Sequence, residues 1–331
     1  MKALISETPG NASTLRVAET PAPSPGEHEV RIKTSFAGVN YPDVLIIEDR
    51  YQIRPLRPFS PGIEVAGTID AVGSEVQGLS VGQSCVALVR HGGMAEYVLA
   101  AADAVAPLSP AISASTAATI LVSYGTAWHA LHDRAALQQE ETLLVLGASG
   151  VVGVAAVQLG KALGARVIAA VSSSAKAAAA EANGADDIVI YPTGEIDGRE
   201  LSAMFKAACG AAGPNCVFDP VGGVYGETAL RTLAWQGRHL VVGFAAGLPN
   251  LALNTVLLKS INVLGVTWGE TAARTPGMFR GHVEQIGQLL ASGAIDPLAA
   301  SVVPLDQAAD AIAAIAARSA IGKVVVEIGE G

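Results

Sequence analysis

From Leu143 to Gly153 the chain reads Leu-Leu-Val-Leu-Gly-Ala-Ser-Gly-Val-Val-Gly. An apolar run of this length fits a buried strand, and the stretch Val151–Leu163 behind it has the composition of a helix. The glycines between them have a physical use. Without a Cβ the backbone can turn sharply, approach a phosphate and let the helix pack close to the strand. The helix N-terminus adds unpaired N–H groups and the positive end of the helix dipole. The passage therefore predicts a strand, turn and helix in which Gly147, Ser149, Gly150, Val151, Val152 and Gly153 offer backbone to a dinucleotide pyrophosphate. The spacing alone would also suit a plain tight turn; the flanking strand and helix give it its meaning.

The next strand, Arg166–Val171, bears on which dinucleotide. A site for NAD usually places Asp or Glu at this strand end, where it holds the ribose 2′-OH. Here the strand runs into Ser172, Ser173 and Ser174, Lys176 follows, and the first acid is Glu181. Small hydroxyls beside a cation suit a 2′-phosphate, which a carboxylate would repel. The expected cofactor is NADPH, with Ser172, Ser173 and Lys176 at its adenosine end.

The rest of the chain gives this unit a setting. Half of the 331 residues are hydrophobic and 15% are charged, enough apolar material for two domains. Up to about residue 110 short apolar runs, such as Val30–Ile32 and Val86–Val89, alternate with Pro and Gly punctuation and read as β-rich. From about Ser113 helices and strands alternate. Strands are expected at Leu143–Leu146, Ile188–Tyr191, Cys216–Phe218, Leu240–Val242 and Ile261–Val266, with a helix at Lys176–Asn183 closed by Gly184. That series is the signature of an α/β, doubly wound parallel sheet. The tail offers helices at Phe279–Ala291 and Gln307–Arg318 and a strand at Lys323–Ile328.

Several function classes are disfavoured. A net charge of −9 speaks against a broad nucleic-acid surface. Thr142–Gly160 is uncharged but parses as strand, turn and helix, so no membrane span is expected. Cys85, Cys209 and Cys216 show no zinc-ribbon spacing and read as reduced, buried thiols of a cytoplasmic protein.

Further passages complete a pattern. They are Gly38-Val39-Asn40-Tyr41-Pro42-Asp43-Val44, Pro61-Gly62-Ile63-Glu64-Val65-Ala66-Gly67, Gly92-Gly93-Met94-Ala95-Glu96-Tyr97, Gly184-Ala185-Asp186, Asp219-Pro220-Val221-Gly222-Gly223 and Gly322-Lys323-Val324-Val325. With the glycine turn, and in this order, they resemble the medium-chain dehydrogenase/reductase superfamily, specifically its zinc-free quinone oxidoreductase branch. The resemblance implies a mainly β, GroES-like catalytic domain from residues 1–122 and 269–331. A Rossmann domain from 123–268 would be inserted into it, and the protein would be a homodimer. The zinc-bearing alcohol dehydrogenase branch has Cys where this chain has Asn40, and Gly-His-Glu where it has Gly62-Ile63-Glu64. Ile63 cannot ligate a metal, and no metal is expected.

The resemblance also implies site residues. Asn40 and Tyr51 would be the catalytic pair, donating hydrogen bonds to a substrate oxygen in place of a Lewis acid. Thr126, Gly243 and Phe244 would border the nicotinamide, and Tyr191 and Arg318 would join Lys176 around the 2′-phosphate. The expected reaction is hydride transfer from NADPH to a quinone or related conjugated carbonyl. Two alternatives stay open: an enoyl or 2-alkenal C=C reductase, and a weakly catalytic NADPH-binding structural or regulatory protein. His129 and His132 read as structural, Asp219 as the cap of a strand-end turn, and Glu48–Phe59 and Gly269–Met278 as loops.

Overall fold

The computed structural model describes residues 1–319 and 322–329 and divides the chain into two compact units. The first comprises Met1–Val122, Gly269–Gly287 and Pro297–Gly331; the second comprises Ser123–Trp268 and Gln288–Asp296.

The first unit opens with a hairpin of β1 (Lys2–Ile5) and β2 (Arg16–Glu19). It continues through β3 (Glu29–Gly38), α1 (Tyr41–Ile47), β4 (Glu64–Val72), β5 (Ser84–Leu88), β6 (Tyr97–Ala101) and β7 (Val105–Pro107). The cut between the units falls inside α2 (Ala114–Trp128).

The second unit holds β8 (Thr142–Leu146), α3 (Val151–Ala162), β9 (Arg166–Val171), α4 (Ser174–Ala182) and β10 (Asp187–Ile190). Then come α5 (Gly198–Cys209), β11 (Cys216–Asp219), α6 (Gly223–Thr232), β12 (Arg238–Val241), α7 (Leu253–Lys259) and β13 (Asn262–Gly265). Beyond it lie α8 (Trp268–Arg274), α9 (Met278–Ala291), β14 (Ser301–Pro304), α10 (Ala308–Ala316) and β15 (Val324–Glu327).

In the first unit one sheet runs in the order β14-β15-β3-β4-β5-β7, with β6 also on β3. The ten-residue β3 serves two partners on one side. Its start, Glu29–Lys33, pairs with β6, and its end, Phe36–Gly38, pairs with β15. Inward residues of these strands, including Val30, Ile32, Val65, Ile69, Cys85, Ala87 and Val326, form the core with Ile46 and Ile47 of α1. Only β14 and β15 pair in parallel, so this is the mainly β, largely antiparallel domain that the first third of the sequence suggests.

The second unit is a six-stranded sheet in the order β10-β9-β8-β11-β12-β13, every pair parallel. Its order reverses between β8 and β11, so the loops after those two strands open side by side at one end of the sheet. Leu143–Leu146 and Val167–Val171 are fully buried, as strands covered on both faces must be.

The helix α3 lies close on this sheet because two glycines let it. A Cβ on Gly153 would overlap Gly147 O and stand 2.8 Å from Ala148 Cα. One on Gly160 would stand 2.8 Å from Leu143 and 2.9 Å from Val167.

Three parts of the sequence reading are revised. Residues 269–274, expected in a loop, belong to α8, whose Trp268 ring fills the space a Cβ on Gly125 would need. Gln288–Asp296, assigned to the first unit, packs with the second. There Gln158 Oε1 accepts from Asp296 N at 2.9 Å and Gln158 Nε2 donates to Asp296 O at 2.7 Å. The helix α5 is an addition to the expected elements: Leu201, Phe205 and Cys209 at intervals of four form its buried face and Asp197 caps its start.

Replacing Gly153 with Ala should destabilise the protein by roughly 1–3 kcal/mol, because backbone rather than a mobile side chain blocks the new methyl. Urea unfolding checks this; an unchanged midpoint would show that the helix does not depend on the close approach.

Candidate functional site

Each unit gathers one group of the residues singled out by sequence. In the second unit β8 ends at Gly147, whose φ of +61° a side chain would resist. Gly150 then caps α3, and Val154 N donates to Gly150 O at 2.8 Å. The N–H groups of Val151, Val152 and Gly153 precede that first intrahelical bond, so they are the orphan donors of a helix N-terminus. Ser149 and Gly150 lie half-buried and exposed on the rim of the same turn. The arrangement can receive an anion from backbone alone.

At the end of β9 Ser173 caps α4, accepting from Lys176 N at 3.4 Å, a long bond. Lys176 folds back so that Nζ donates to Ser172 Oγ at 3.0 Å. Two hydroxyls and one ammonium thus share the strand end, and no carboxylate enters between Val171 and Lys176. Tyr191 comes alongside by donating its N–H to Val171 O at 2.9 Å. Its ring, however, is buried with Leu201 and Phe205, 4.7 Å from the Tyr225 ring, and burial pushes its phenol to about 12. Arg318 belongs to the first unit, just past α10 at φ +56°.

The loops after β11 and β12 complete this end of the sheet. Asp219 Oδ1 accepts from Val221 N at 2.9 Å and Gly222 N at 2.7 Å, the strand-end cap that sequence indicated. Gly243 N donates to Asp219 O at 3.2 Å, and Phe244 is 48% exposed although aromatic. Thr126 is half-buried on α2.

In the first unit three strands converge at the end of β3. Gly38 is paired with Glu64 of β4 and with Val325 of β15, which brings Glu64, Asn40 and Lys323 to one place. Lys323 Nζ donates to Glu64 Oε1 and, at 2.6 Å, to Asn40 Oδ1. Asn40 Nδ2 donates to Glu64 Oε1 at 2.8 Å and to Gly38 O at 3.3 Å, while Glu64 Oε2 accepts from Val122 N at 2.8 Å. A Cβ on Gly38 would overlap the Glu64 carboxylate, so glycine is what admits it.

Beside them Asp43 bridges two backbone donors, Asn40 N at 2.7 Å and Gly62 N at 2.8 Å. Burial raises Asp43 from an ordinary 3.8 to about 7; the two backbone bonds and Lys323 oppose the rise and Glu64 adds to it. Tyr51 packs half-buried on the same core, and burial holds its phenol above the ordinary value, with the charge of Asp43 adding to the effect. Its proton is firmly held, which suits a hydrogen-bond donor.

This geometry changes the reading of Asn40. Both hydrogens of its amide are committed inside the unit, so it bridges a buried cluster instead of presenting a free donor. The sequence motifs that contain Glu64 and Lys323 do not by themselves reveal this pairing. The available signal was a charged residue entering an apolar strand run, Glu64 before Val65-Ala66 and Lys323 before Val324-Val325-Val326.

His129 and His132 both find partners close by in their own helical segment. His129 Nδ1 lies 2.7 Å from Asp133 Oδ2, and His132 stacks on Trp128 at 4.6 Å. All three cysteines are free and buried, and burial pushes each thiol to about 12, far from a reactive thiolate. Among the described residues no cluster of three or more His, Cys, Asp or Glu side chains could hold a metal ion. No helix among them is long and apolar enough to cross a membrane.

These two folds and their sites define an oxidoreductase with a dinucleotide domain, and sequence comparison agrees. Residues 26–110 match the alcohol dehydrogenase GroES-like domain, and residues 151–285 match the family described as zinc-binding dehydrogenase. The chain is 35% identical to quinone oxidoreductase-like protein 2 of Bos taurus, over 94% of this chain and 89% of that protein.

Two solved structures are also similar. A mycobacterial protein in complex with NADPH has a TM-score of 0.90 at 29% identity, covering 99% of each chain. Escherichia coli quinone oxidoreductase in complex with NADPH has a TM-score of 0.89 at 26% identity, covering 99% of this chain and 100% of that one. The chain belongs to the medium-chain dehydrogenase/reductase superfamily, in its quinone oxidoreductase branch.

The buried charge in the first unit can be tested directly. Lys323→Met would strand the Glu64 carboxylate and should cost about 3–5 kcal/mol in chemical unfolding. Adding Glu64→Gln should restore much of that loss. A double variant no more stable than Lys323→Met would contradict the pairing.

Proposed function

We propose that this oxidoreductase binds NADPH in the second unit and delivers hydride, without zinc, to a quinone or related conjugated carbonyl. The observation that carries the cofactor is the end of β9, where Lys176 lies on Ser172 and the sequence places no carboxylate between Val171 and Lys176. A 2′-phosphate gains charge-assisted hydrogen bonds there, whereas the ribose hydroxyl of NADH would find no acid. The turn from Gly147 to Gly153 supplies backbone N–H groups for the pyrophosphate, and Thr126, Gly243 and Phe244 are assigned to the nicotinamide side. Arg318 is a secondary candidate for the adenosine end; Tyr191 is a weaker one, since its N–H is taken by Val171 O and its ring is in the core. The NADPH bound to two similar proteins supports the same choice.

Zinc independence rests on the donor set. Where the zinc-bearing branch has Cys and His, this chain has an amide already committed to Glu64 and the apolar Ile63. Lys323 balances the Glu64 charge, so the cluster has its counter-charge without a metal ion. NADPH supplies the hydride from C4 of its nicotinamide. The chain supplies the donor that meets charge on the substrate oxygen, and Tyr51 is the residue assigned to that task. Asn40 is assigned the supporting one, orienting α1 and the cluster beneath it.

Initial rates with NADPH and NADH against a quinone, a 2-alkenal and an enoyl thioester test the reading. Turnover of the quinone with NADPH is expected. Lys176→Ala should raise the KM for NADPH about tenfold, the usual scale of one lost phosphate contact, and leave that for NADH unchanged. Tyr51→Phe should lower kcat by about tenfold to a hundredfold. A wild-type preference for NADH would overturn the cofactor assignment. Activity on alkenals or enoyl thioesters alone would make the protein a C=C reductase, and NADPH binding without turnover would make it a structural or regulatory one.

We further propose a homodimer through β13. Among the described residues this strand ends the sheet with one edge unpaired, and it exposes Val263. The helix before it, α7, exposes Leu253, Leu257 and Leu258 at 71–78%. An apolar edge of this kind invites a second strand. Light scattering should give twice the 33.5 kDa chain mass, and Leu257→Glu with Leu258→Glu should halve it. A wild-type monomer would refute the assignment.

A further inference from the structure

His239 and Asp219 form a buried pair that the cofactor assignment does not use. His239 is fully buried and Asp219 nearly so. His239 Nε2 lies 3.1 Å from Asp219 Oδ2. The other oxygen, Oδ1, already accepts from Val221 N and Gly222 N. A carboxylate accepting from the ring puts the ring proton on Nε2. His239 Nδ1 is buried and has no hydrogen-bond partner among the described residues, so Asp219 is the imidazole's sole anchor. Gly226 of α6 makes room for the carboxylate: a Cβ there would overlap Oδ2.

The pair sits beneath two loops that are sewn together. Val242 N and Gly243 N donate to Asp219 O at 2.9 and 3.2 Å. Ala246 N donates to Val221 O at 2.7 Å, Ala245 N to Pro220 O at 3.3 Å, and Gly223 N to Gly247 O at 2.8 Å. Two glycines in left-handed geometry make this possible. Gly222 has φ +68° and Gly223 φ +51°, and a Cβ on either would run into the backbone at Ala246–Gly247. On its other side the turn reaches the phosphate loop, since a Cβ on Gly147 would stand 2.9 Å from Val221 Cγ2. The orientation of one carboxylate therefore sets the Pro220–Gly223 turn, and the turn sets both the Gly243–Phe244 loop and the side of Gly147.

We propose that His239 and Asp219 are positioning residues for the nicotinamide half of NADPH, holding the loops after β11 and β12 in their binding geometry. This rests on the cofactor reading above. The adenosine end is gripped separately, at Ser172, Ser173 and Lys176 on the far side of β8. The two halves of the ligand should thus respond differently to loss of the pair. His239→Leu removes the ring donor and leaves Asp219 Oδ2 buried without a partner, which frees the carboxylate to rotate out of the turn. His239→Gln offers an amide donor at similar reach and should rescue.

Titrations of wild type and variants with NADPH and with 2′,5′-ADP, which carries only the adenosine end, provide the test. For His239→Leu the Kd of NADPH should rise about tenfold while that of 2′,5′-ADP stays unchanged, with His239→Gln close to wild type. Val221→Ala, a half-buried loop change that spares the pair, should show the same selectivity more weakly and serves if His239→Leu does not fold. Unchanged NADPH binding in the variants, or equal weakening of both ligands, would overturn the proposal while leaving the cofactor assignment standing. A wild type that binds neither ligand would remove the cofactor reading and this inference with it.

Discussion

The carbonyl oxygen of Gly147 occupies the space that a side chain on Gly153 would need. That single close approach presses α3 onto β8, and the consequences spread outward. It points the first N–H groups of α3 past the end of the strand. Gly147 has its own part in this, since its missing side chain leaves room for Val221 of the loop after β11, the strand next to β8. An anion site made of backbone needs no charged side chain, which fits an acidic protein that must still hold a phosphorylated cofactor.

The first unit solves a different problem, that of keeping charge inside an apolar sheet. A lone buried carboxylate is costly, and proteins offset it with a counter-charge, hydrogen bonds or a proton. Glu64 has the first two, from Lys323, Asn40 and Val122 N. Asp43 leans on the third, with burial raising it to about 7, and so sits near the edge of ionisation at neutral pH. The two acids lie in one cluster: the ammonium contacts Glu64 directly, whereas at Asp43 burial outweighs the two backbone N–H bonds that favour its charged form.

Much of this was legible in the sequence where the controlling physics is local. A positive φ at Gly147, the helix start after Gly150 and the acid-free end of β9 each follow from a few adjacent residues. The strand Arg166–Val171 is found with the bounds expected for it. Asp219 as a turn cap was also readable, since its acceptors serve residues two and three ahead. Asn40 was read from resemblance as a free donor, and no local rule could show that Glu64 and Gly38 had taken its hydrogens. Tyr191 was similar: strand position predicted its backbone, whereas the fate of its ring depended on α5.

What the sequence determined by itself is the chain's grammar: a mainly β start, a parallel βαβ series, a phosphate turn, and a strand end suited to a 2′-phosphate. Periodicity and backbone preference act over a few residues, and those features need nothing more. Only the tertiary structure decided that Lys323 neutralises Glu64 across 259 positions, or that His239 anchors the carboxylate beneath the Gly243–Phe244 loop. Both pairings depend on which strands lie side by side and in what register, with Gly38 opposite Glu64 and Val325 in one sheet and β11 beside β12 in the other. Register arises from the packing of whole sheets, so no single stretch of the chain records it.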